Sequence, residues 1–116
     1  MRALELQEHR GVTVALLVGE IDHANGGRIG GQVEGALEAA GVGLVVDLSG
    51  VTFIDSAAIS TLFRLARDAR ERGRRLALVV PPDSVVERVL GIVGLDQMVV
   101  LADGLDSAVD EVLRAD

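Results

Sequence analysis

Asp55 and Ser56 are the neighbouring side chains in this sequence whose types are best suited to chemistry. They stand between an apolar run that begins at Leu44 and a segment from Ile59 in which apolar residues recur every three or four positions. Asp and Ser both accept hydrogen bonds from the free N–H groups of a helix's first turn. A serine hydroxyl at such a point belongs to a rigid frame and still reaches solvent. It could serve as a helix cap, a catalytic nucleophile or a phosphorylation target.

Catalysis by Ser56 requires a general base within hydrogen-bond reach. His23 could supply it only if the loop before the first helix lies alongside the serine. The flanking residues also differ from a Gly-x-Ser-x-Gly elbow, since Ile54 and Ala58 stand at the glycine positions. We therefore expect no catalytic residues and no enzymatic activity.

The residue types that are missing narrow the chemistry further. The sequence has no Cys, and each of its 11 basic residues is Arg, which excludes a P-loop lysine, a Schiff base and the Cys-based zinc sites. His9 and His23 are too few for a three-histidine metal site. We therefore expect no metal site.

The charge distribution opposes binding to nucleic acid. The formal net charge is −7, which disfavours phosphate-rich surfaces. The segment from Arg64 to Arg75 carries six arginines beside Asp68 and Glu71. We interpret it as a solvated helix face on which those two carboxylates pair locally with arginines. An acidic protein partner is the alternative, and nucleic acid is the least favoured one.

Nothing in the sequence suggests a membrane segment. The longest run without charge, Gly11 to Gly19, is far shorter than the ~20 residues of a membrane-spanning helix. Glu5 and Glu8 stand near the start without an apolar signal core, so we expect no secretion and a cytoplasmic location.

The apolar patterns predict one α/β domain of 116 residues. The run from Leu44 to Val46 indicates a strand buried on both faces, ended by Asp47 and the turn-forming pair Ser49–Gly50. The other predicted strands are Ala3 to Gln7, Val12 to Val18, Arg75 to Val80 and Gln97 to Leu101. Four helices are predicted around Ile29 to Ala40, Ile59 to Ala69, Val86 to Val93 and Leu105 to Leu113.

The order ββαβαβαβα, with short connections, indicates a mixed and mostly parallel five-stranded sheet with four flanking helices. Its first two strands should form an antiparallel hairpin. Ser84-x-x-Glu87 predicts a capping box and Gly94 a helix stop. Because glycine disfavours the helical conformation, the five glycines of the first helix should make its first turns only weakly stable.

Three blocks of the sequence resemble the STAS domains of bacterial anti-sigma factor antagonists: 19–22 (Gly-Glu-Ile-Asp), 45–56 (Val-Val-Asp-Leu-Ser-Gly-Val-Thr-Phe-Ile-Asp-Ser) and 93–95 (Val-Gly-Leu). They keep that family's order and spacing over nearly the whole chain. The resemblance implies the STAS fold and phosphorylation of Ser56 by a partner anti-sigma factor that is also a serine kinase. The unphosphorylated antagonist holds that kinase and frees the sigma factor, and a phosphatase resets it. Because the kinase binds the ATP, this chain should need no cofactor.

The resemblance also implies a partner-binding surface made of Asp22, Asp55, Ser56, Ala57 and Ala58. Asp22 belongs to it because the family places that loop next to the serine; its alternative role is a cap for the first helix. The family usually has glycine where this chain has Ala58, and the added methyl could hinder a kinase. A phosphate beside Asp22 and Asp55 should repel an acidic partner surface.

Two questions remain open from the sequence. The runner-up function is a STAS interaction subunit without a phosphoryl switch, in a stress-sensing complex or beside a lipid transporter. A weak homodimer is also left open.

Overall fold

The computed structural model describes residues 3–114, and these form one α/β layer structure. Five strands make a single sheet in the order β1-β2-β3-β4-β5. β1 is antiparallel to β2, and the other neighbouring pairs are parallel. The predicted fold class, including the antiparallel strand at the start, is confirmed. The strands are β1 (Leu4–His9), β2 (Val12–Ile21), β3 (Gly43–Ile54), β4 (Arg75–Val79) and β5 (Val100–Ala102).

Four helices cover the two faces of the sheet. They are α1 (Gly26–Ala39), α2 (Ser56–Glu71), α3 (Val85–Ile92) and α4 (Leu105–Leu113). The first three bury their apolar stripes in one large cluster, and α4 packs into a smaller cluster on the opposite face. Leu44 and Val46 point into the large cluster and Val45 into the small one, so this part of β3 is buried on both faces as predicted.

The central strand is much longer than predicted. Asp47 does not end it, and Ser49–Gly50 form no turn, because β3 continues to Ile54. β2 likewise continues beyond Val18 to Ile21 and pairs with this extension, with two register shifts that place extra residues in β3. Pairing with β2 overrides the local turn preference of Ser49–Gly50, and the irregularity is absorbed as bulges. Gly50 suits this place because a Cβ there would lie 2.5 Å from Val18 Cγ1.

Asp47 keeps a structural role within the strand. Its carboxylate is buried and accepts hydrogen bonds from both the backbone N–H (2.9 Å) and the hydroxyl of Ser49. It therefore ties down the bulged backbone around Ser49.

The last part of the chain departs from the sequence prediction in one element. The segment predicted as a strand from Gln97 to Leu101 begins instead with a 3₁₀ turn over Leu95–Gln97, and β5 covers only Val100–Ala102. The buried side chain of Leu95 anchors that turn. The predicted capping box is confirmed in one of its two hydrogen bonds, since Ser84 Oγ accepts from Glu87 N at 3.1 Å. Glu87 Oε1 accepts from Asp83 N at 2.9 Å and not from Ser84 N. Gly94, with φ of 81°, follows the end of α3 as predicted.

The basic segment serves mainly the contacts between helices. Arg64 pairs with Glu34 of α1 (Nε–Oε1, 3.4 Å), and Arg72 pairs with Glu38 of α1 (Nη2–Oε1, 2.8 Å). Arg72 also meets Asp68 (Nε–Oδ2, 3.2 Å), which confirms one of the two predicted local pairs. Within residues 3–114, Glu71 forms no ion pair with an arginine. Glu34 and Glu38 of α1 thus pair with two arginines of the basic segment, and the sequence did not predict these partners.

Candidate functional site

The candidate site lies at the carboxyl edge of the parallel strands, where β2 and β3 end side by side. Ile21 and Ile54, their last residues, are register partners. The backbone N–H of Asp55 then donates to Ile21 O at 3.3 Å. The loop after β2 and the junction between β3 and α2 are thereby held together. In open α/β sheets this edge is where binding sites form.

Asp55 ties the two segments together through both carboxylate oxygens. Oδ1 accepts from Ala58 N at 2.9 Å, which makes Asp55 the N-cap of α2. Oδ2 accepts from His23 N at 2.9 Å, and the His23 imidazole Nδ1 lies 3.6 Å from the same oxygen. The hydrogen bond from Ala58 N–H is the main cause that lowers the pKa of Asp55; burial opposes it, and the contacts with His23 add to it. The carboxylate is therefore held in its charged form.

Asp22 shapes the loop after β2. Its Oδ1 accepts from Ala24 N at 2.9 Å, and its own N–H donates to Asn25 Oδ1 at 2.9 Å. Asn25, not Asp22, is the N-cap residue of α1. The alternative that Asp22 caps the first helix is therefore wrong, because its carboxylate is used inside the loop. The side chain is partly exposed and stands in the loop that Asp55 fastens.

Ser56 is the first residue of α2 and is exposed. Within residues 3–114 its hydroxyl makes no hydrogen bond, because Asp55 has taken the capping role. The alternative interpretation of Ser56 as the helix cap is therefore wrong. His23 is the candidate general base for this serine, but its imidazole Nδ1 contacts Asp55 Oδ2 instead.

Ala57 and Ala58 lie on opposite sides of the first turn of α2. Ala57 is exposed beside the serine, whereas Ala58 is only 2% exposed. The Ala58 methyl lines a small apolar cavity of about 30 Å³ between the sheet, α1 and α2, together with Gly26 and Ile54. The methyl that distinguishes this chain from the usual glycine thus faces the core.

A close approach of α1 and α2 supports this turn. A Cβ at Gly30 would lie 2.8 Å from Thr61 Cγ2, so a larger residue there would push the helices apart. Glycines in this helix could be noticed in the sequence, but their partner on α2 could not. Asn25 was also missed: its Nδ2 donates to Glu20 O at 2.9 Å and closes the loop beside Asp22.

Other kinds of site find no support in the part of the chain that the structure describes. Residues 3–114 contain no group of three or more His, Cys, Asp or Glu side chains placed to hold a metal ion. Within the same range, no helix combines the length and hydropathy that crossing a bilayer needs.

Comparisons with known proteins agree on one family. The model of the STAS domain matches residues 3–111. The anti-sigma F factor antagonist of Paenibacillus polymyxa is 27% identical over 111 residues, which cover 93% of this chain and 92% of that protein. The crystal structure of a candidate anti-sigma factor antagonist from Thermotoga maritima superposes with a TM-score of 0.84 at 26% identity, over 96% of this chain and 95% of the other. An anti-sigma factor antagonist from Mycobacterium paratuberculosis shares the fold, with a TM-score of 0.83 at 24% identity over 96% and 93% of the two chains.

Proposed function

The chain belongs to the STAS domain family, and from that premise we propose that it is an anti-sigma factor antagonist switched by phosphorylation of Ser56. In its unmodified form it binds an anti-sigma factor that is also a serine kinase, and it thereby releases the sigma factor. Phosphorylation of Ser56 ends that binding, and a phosphatase restores it. The antagonist role follows the Paenibacillus polymyxa relative, whose name describes it as one.

The observation that carries the proposal is the division of roles between Asp55 and Ser56. Asp55 supplies the N-cap of α2, while the Ser56 hydroxyl is exposed and makes no hydrogen bond within residues 3–114. A phosphate can therefore be attached without removing an interaction that the fold uses. A serine that capped its own helix would lose that interaction on modification.

The charge of a phosphate suits this position on the protein. It adds about −1.5 to −2 charges and three acceptor oxygens. The start of α2 favours negative charge through the helix dipole. The N–H groups of Ser56 and Ala57 make no hydrogen bond within the described chain, so phosphate oxygens can accept from them. The carboxylate of Asp55 opposes the added charge, and the result is a strongly negative surface on an intact domain.

A partner would sense that change on the surface formed by Asp22, Asp55, Ser56 and Ala57. Ala57 is small and exposed, which lets another protein approach the backbone closely. Ala58 takes part through its backbone position alone, because its methyl is buried. The alanine at this place should therefore not obstruct a kinase. This chain supplies the acceptor hydroxyl, while the kinase supplies ATP and the catalytic groups. Because the kinase uses ATP, the proposal implies a cytoplasmic location for both proteins.

The test uses the anti-sigma kinase of the protein's own host. The purified chain is incubated with that kinase and ATP, and intact mass is measured for wild type, Ser56→Ala and Ser60→Ala. Ser60 is the matched control, an exposed serine one turn further along α2. We expect one phosphate on wild type and on Ser60→Ala, and none on Ser56→Ala.

Partner affinity is then compared between the forms by calorimetry. Phosphorylation should weaken binding about 5- to 150-fold, the usual range of coupling between two sites. Ser56→Ala should bind like the unmodified protein at all times, and Ser56→Asp should give a partial loss because it adds only about one charge. Equal affinity of phosphorylated and unmodified protein would show a STAS interaction subunit without a switch.

A further inference from the structure

Phe53 is a large apolar side chain that the fold leaves half in solvent. It is 48% exposed and belongs to neither of the two core clusters. The other aromatic residue, Phe63, packs against the large cluster. Adjacent residues of a strand point to opposite faces. Because Ile54 points into the large cluster towards α1 and α2, Phe53 points to the other face of the sheet.

The surroundings of Phe53 do not explain its apolar character. Its register partner on β2 is Glu20, which is exposed, and the preceding Thr52 is also exposed. The cluster under α4 includes Val45 of β3 and ends short of this end of the strand. A polar residue would meet the needs of the isolated domain equally well here.

Phe53 lies close enough to Ser56 for one partner protein to cover both residues. The two residues are three positions apart, so their Cα atoms lie within about 11 Å of each other. A standard protein interface covers about 800 Å² on each side, which corresponds to a disc of roughly 16 Å radius. A partner that is centred on Ser56 and approaches the carboxyl edge of the sheet along the strand direction therefore also reaches Phe53.

We propose that Phe53 is an apolar anchor of the partner interface, and that the protein that binds at Ser56 accepts the phenyl ring in an apolar pocket. The partner then extends over the carboxyl edge of the sheet to the face opposite α1 and α2. Aromatic side chains, Phe among them, are enriched at protein interfaces, and side chains that fill a desolvated pocket of the partner tend to dominate affinity. The inference rests on the proposed function to the extent that a protein partner binds at this edge.

The test measures the affinity of the unphosphorylated protein for its anti-sigma kinase and compares the variants Phe53→Ala and Leu113→Ala. Leu113, at the end of α4, is 47% exposed and is the matched control. We expect Phe53→Ala to weaken binding at least tenfold and Leu113→Ala to change it less than twofold. The loss should persist at 0.5 M salt, since it arises from apolar contact. Phe53→Leu, which keeps an apolar side chain on the strand, should lose about threefold and carries the test if the alanine variant does not fold.

The outcomes separate this inference from the proposed switch. If phosphorylation weakens binding but Phe53→Ala and Leu113→Ala bind alike, the anchor is wrong and the switch stands. If Phe53→Ala weakens binding while phosphorylation has no effect, the anchor stands and the switch is wrong. Sedimentation velocity gives a further check: if Phe53→Ala turns a dimer into a monomer, the ring serves self-association and the proposed partner pocket is wrong.

Discussion

Replacing Arg74 tests whether the basic segment stabilises the domain or binds a partner. Its guanidinium Nη1 donates to Leu37 O at 2.6 Å and to Glu38 O, two carbonyls in the last turn of α1. The last four carbonyls of a helix lack partners inside the helix, and a cation there also meets the favourable end of the dipole. Arg74 thus acts as a C-terminal cap supplied from the connection between α2 and β4.

The expected loss follows from these two contacts. A hydrogen bond to a charged group contributes about 1.5–3 kcal/mol. Since Arg74 is partly exposed, water replaces some of what the alanine variant loses, and we expect about 1.5–3 kcal/mol for both bonds together. For a domain of this length, 1 kcal/mol corresponds to about 4 °C in Tm. Arg74→Ala should therefore melt about 6–12 °C lower than wild type.

The assay is thermal and urea unfolding followed by circular dichroism. Arg67→Ala is the matched control, because Arg67 is exposed and makes no hydrogen bond or ion pair within residues 3–114; its Tm should stay within about 2 °C. Arg74→Lys should recover part of the loss, since an ammonium can reach one carbonyl but lacks the planar fork. If Arg74→Ala melts like Arg67→Ala, the interpretation of Arg74 as a helix cap is wrong.

Two further predictions concern the candidate site. Because the pKa of Asp55 is lowered in the folded protein, the stability that its carboxylate contributes is complete above the unfolded pKa of about 3.9 and is lost as pH falls through the folded pKa. The Tm difference between wild type and Asp55→Asn, measured from pH 6 to 2.5, should therefore shrink at the acid end. A constant difference would contradict this. Asp22→Asn keeps an acceptor for Ala24 N but lacks the charge-assisted hydrogen bonds that the partly exposed carboxylate can accept from donors on a partner. It should therefore weaken kinase binding with little change in Tm, whereas Asp22→Ala should lower both; unchanged affinity in both variants would remove Asp22 from the partner surface.

The order of elements could be read from the sequence because it depends on local patterns. The two-face burial of Leu44 to Val46, the helix cap by Ser84 and the stop at Gly94 each depend on a few neighbouring residues. The end of β3 was predicted wrongly for the same reason. Ser49–Gly50 favour a turn locally, but the paired extension of β2 keeps them in a strand. The β-branched and aromatic run from Val51 to Ile54 was the available signal for this extension.

The geometry of the site depends on contacts that the sequence order does not show. His23 N donates to an aspartate 32 positions away, and Arg74 reaches carbonyls 36 and 37 positions away. Such contacts follow from the sheet order, which places the β2–α1 loop beside the start of α2. The sequence could therefore nominate Asp22, Asp55 and Ser56, but it could not say which of them caps a helix.

The assignment of the cap to Asp55 bears directly on how a switch can work at Ser56. If the serine were the cap, its phosphorylation would change the stability of α2 and the partner surface together, and the two effects could not be separated. Asp55 Oδ1 accepts from Ala58 N and Asp55 Oδ2 from His23 N, and neither contact uses the serine side chain. We therefore expect both segments of the site to stay in place if Ser56 is phosphorylated. The added charge would then change the affinity for the partner and not the stability of the domain. A switch that leaves its own domain folded can be reset by a phosphatase many times, which is what a reversible regulator requires.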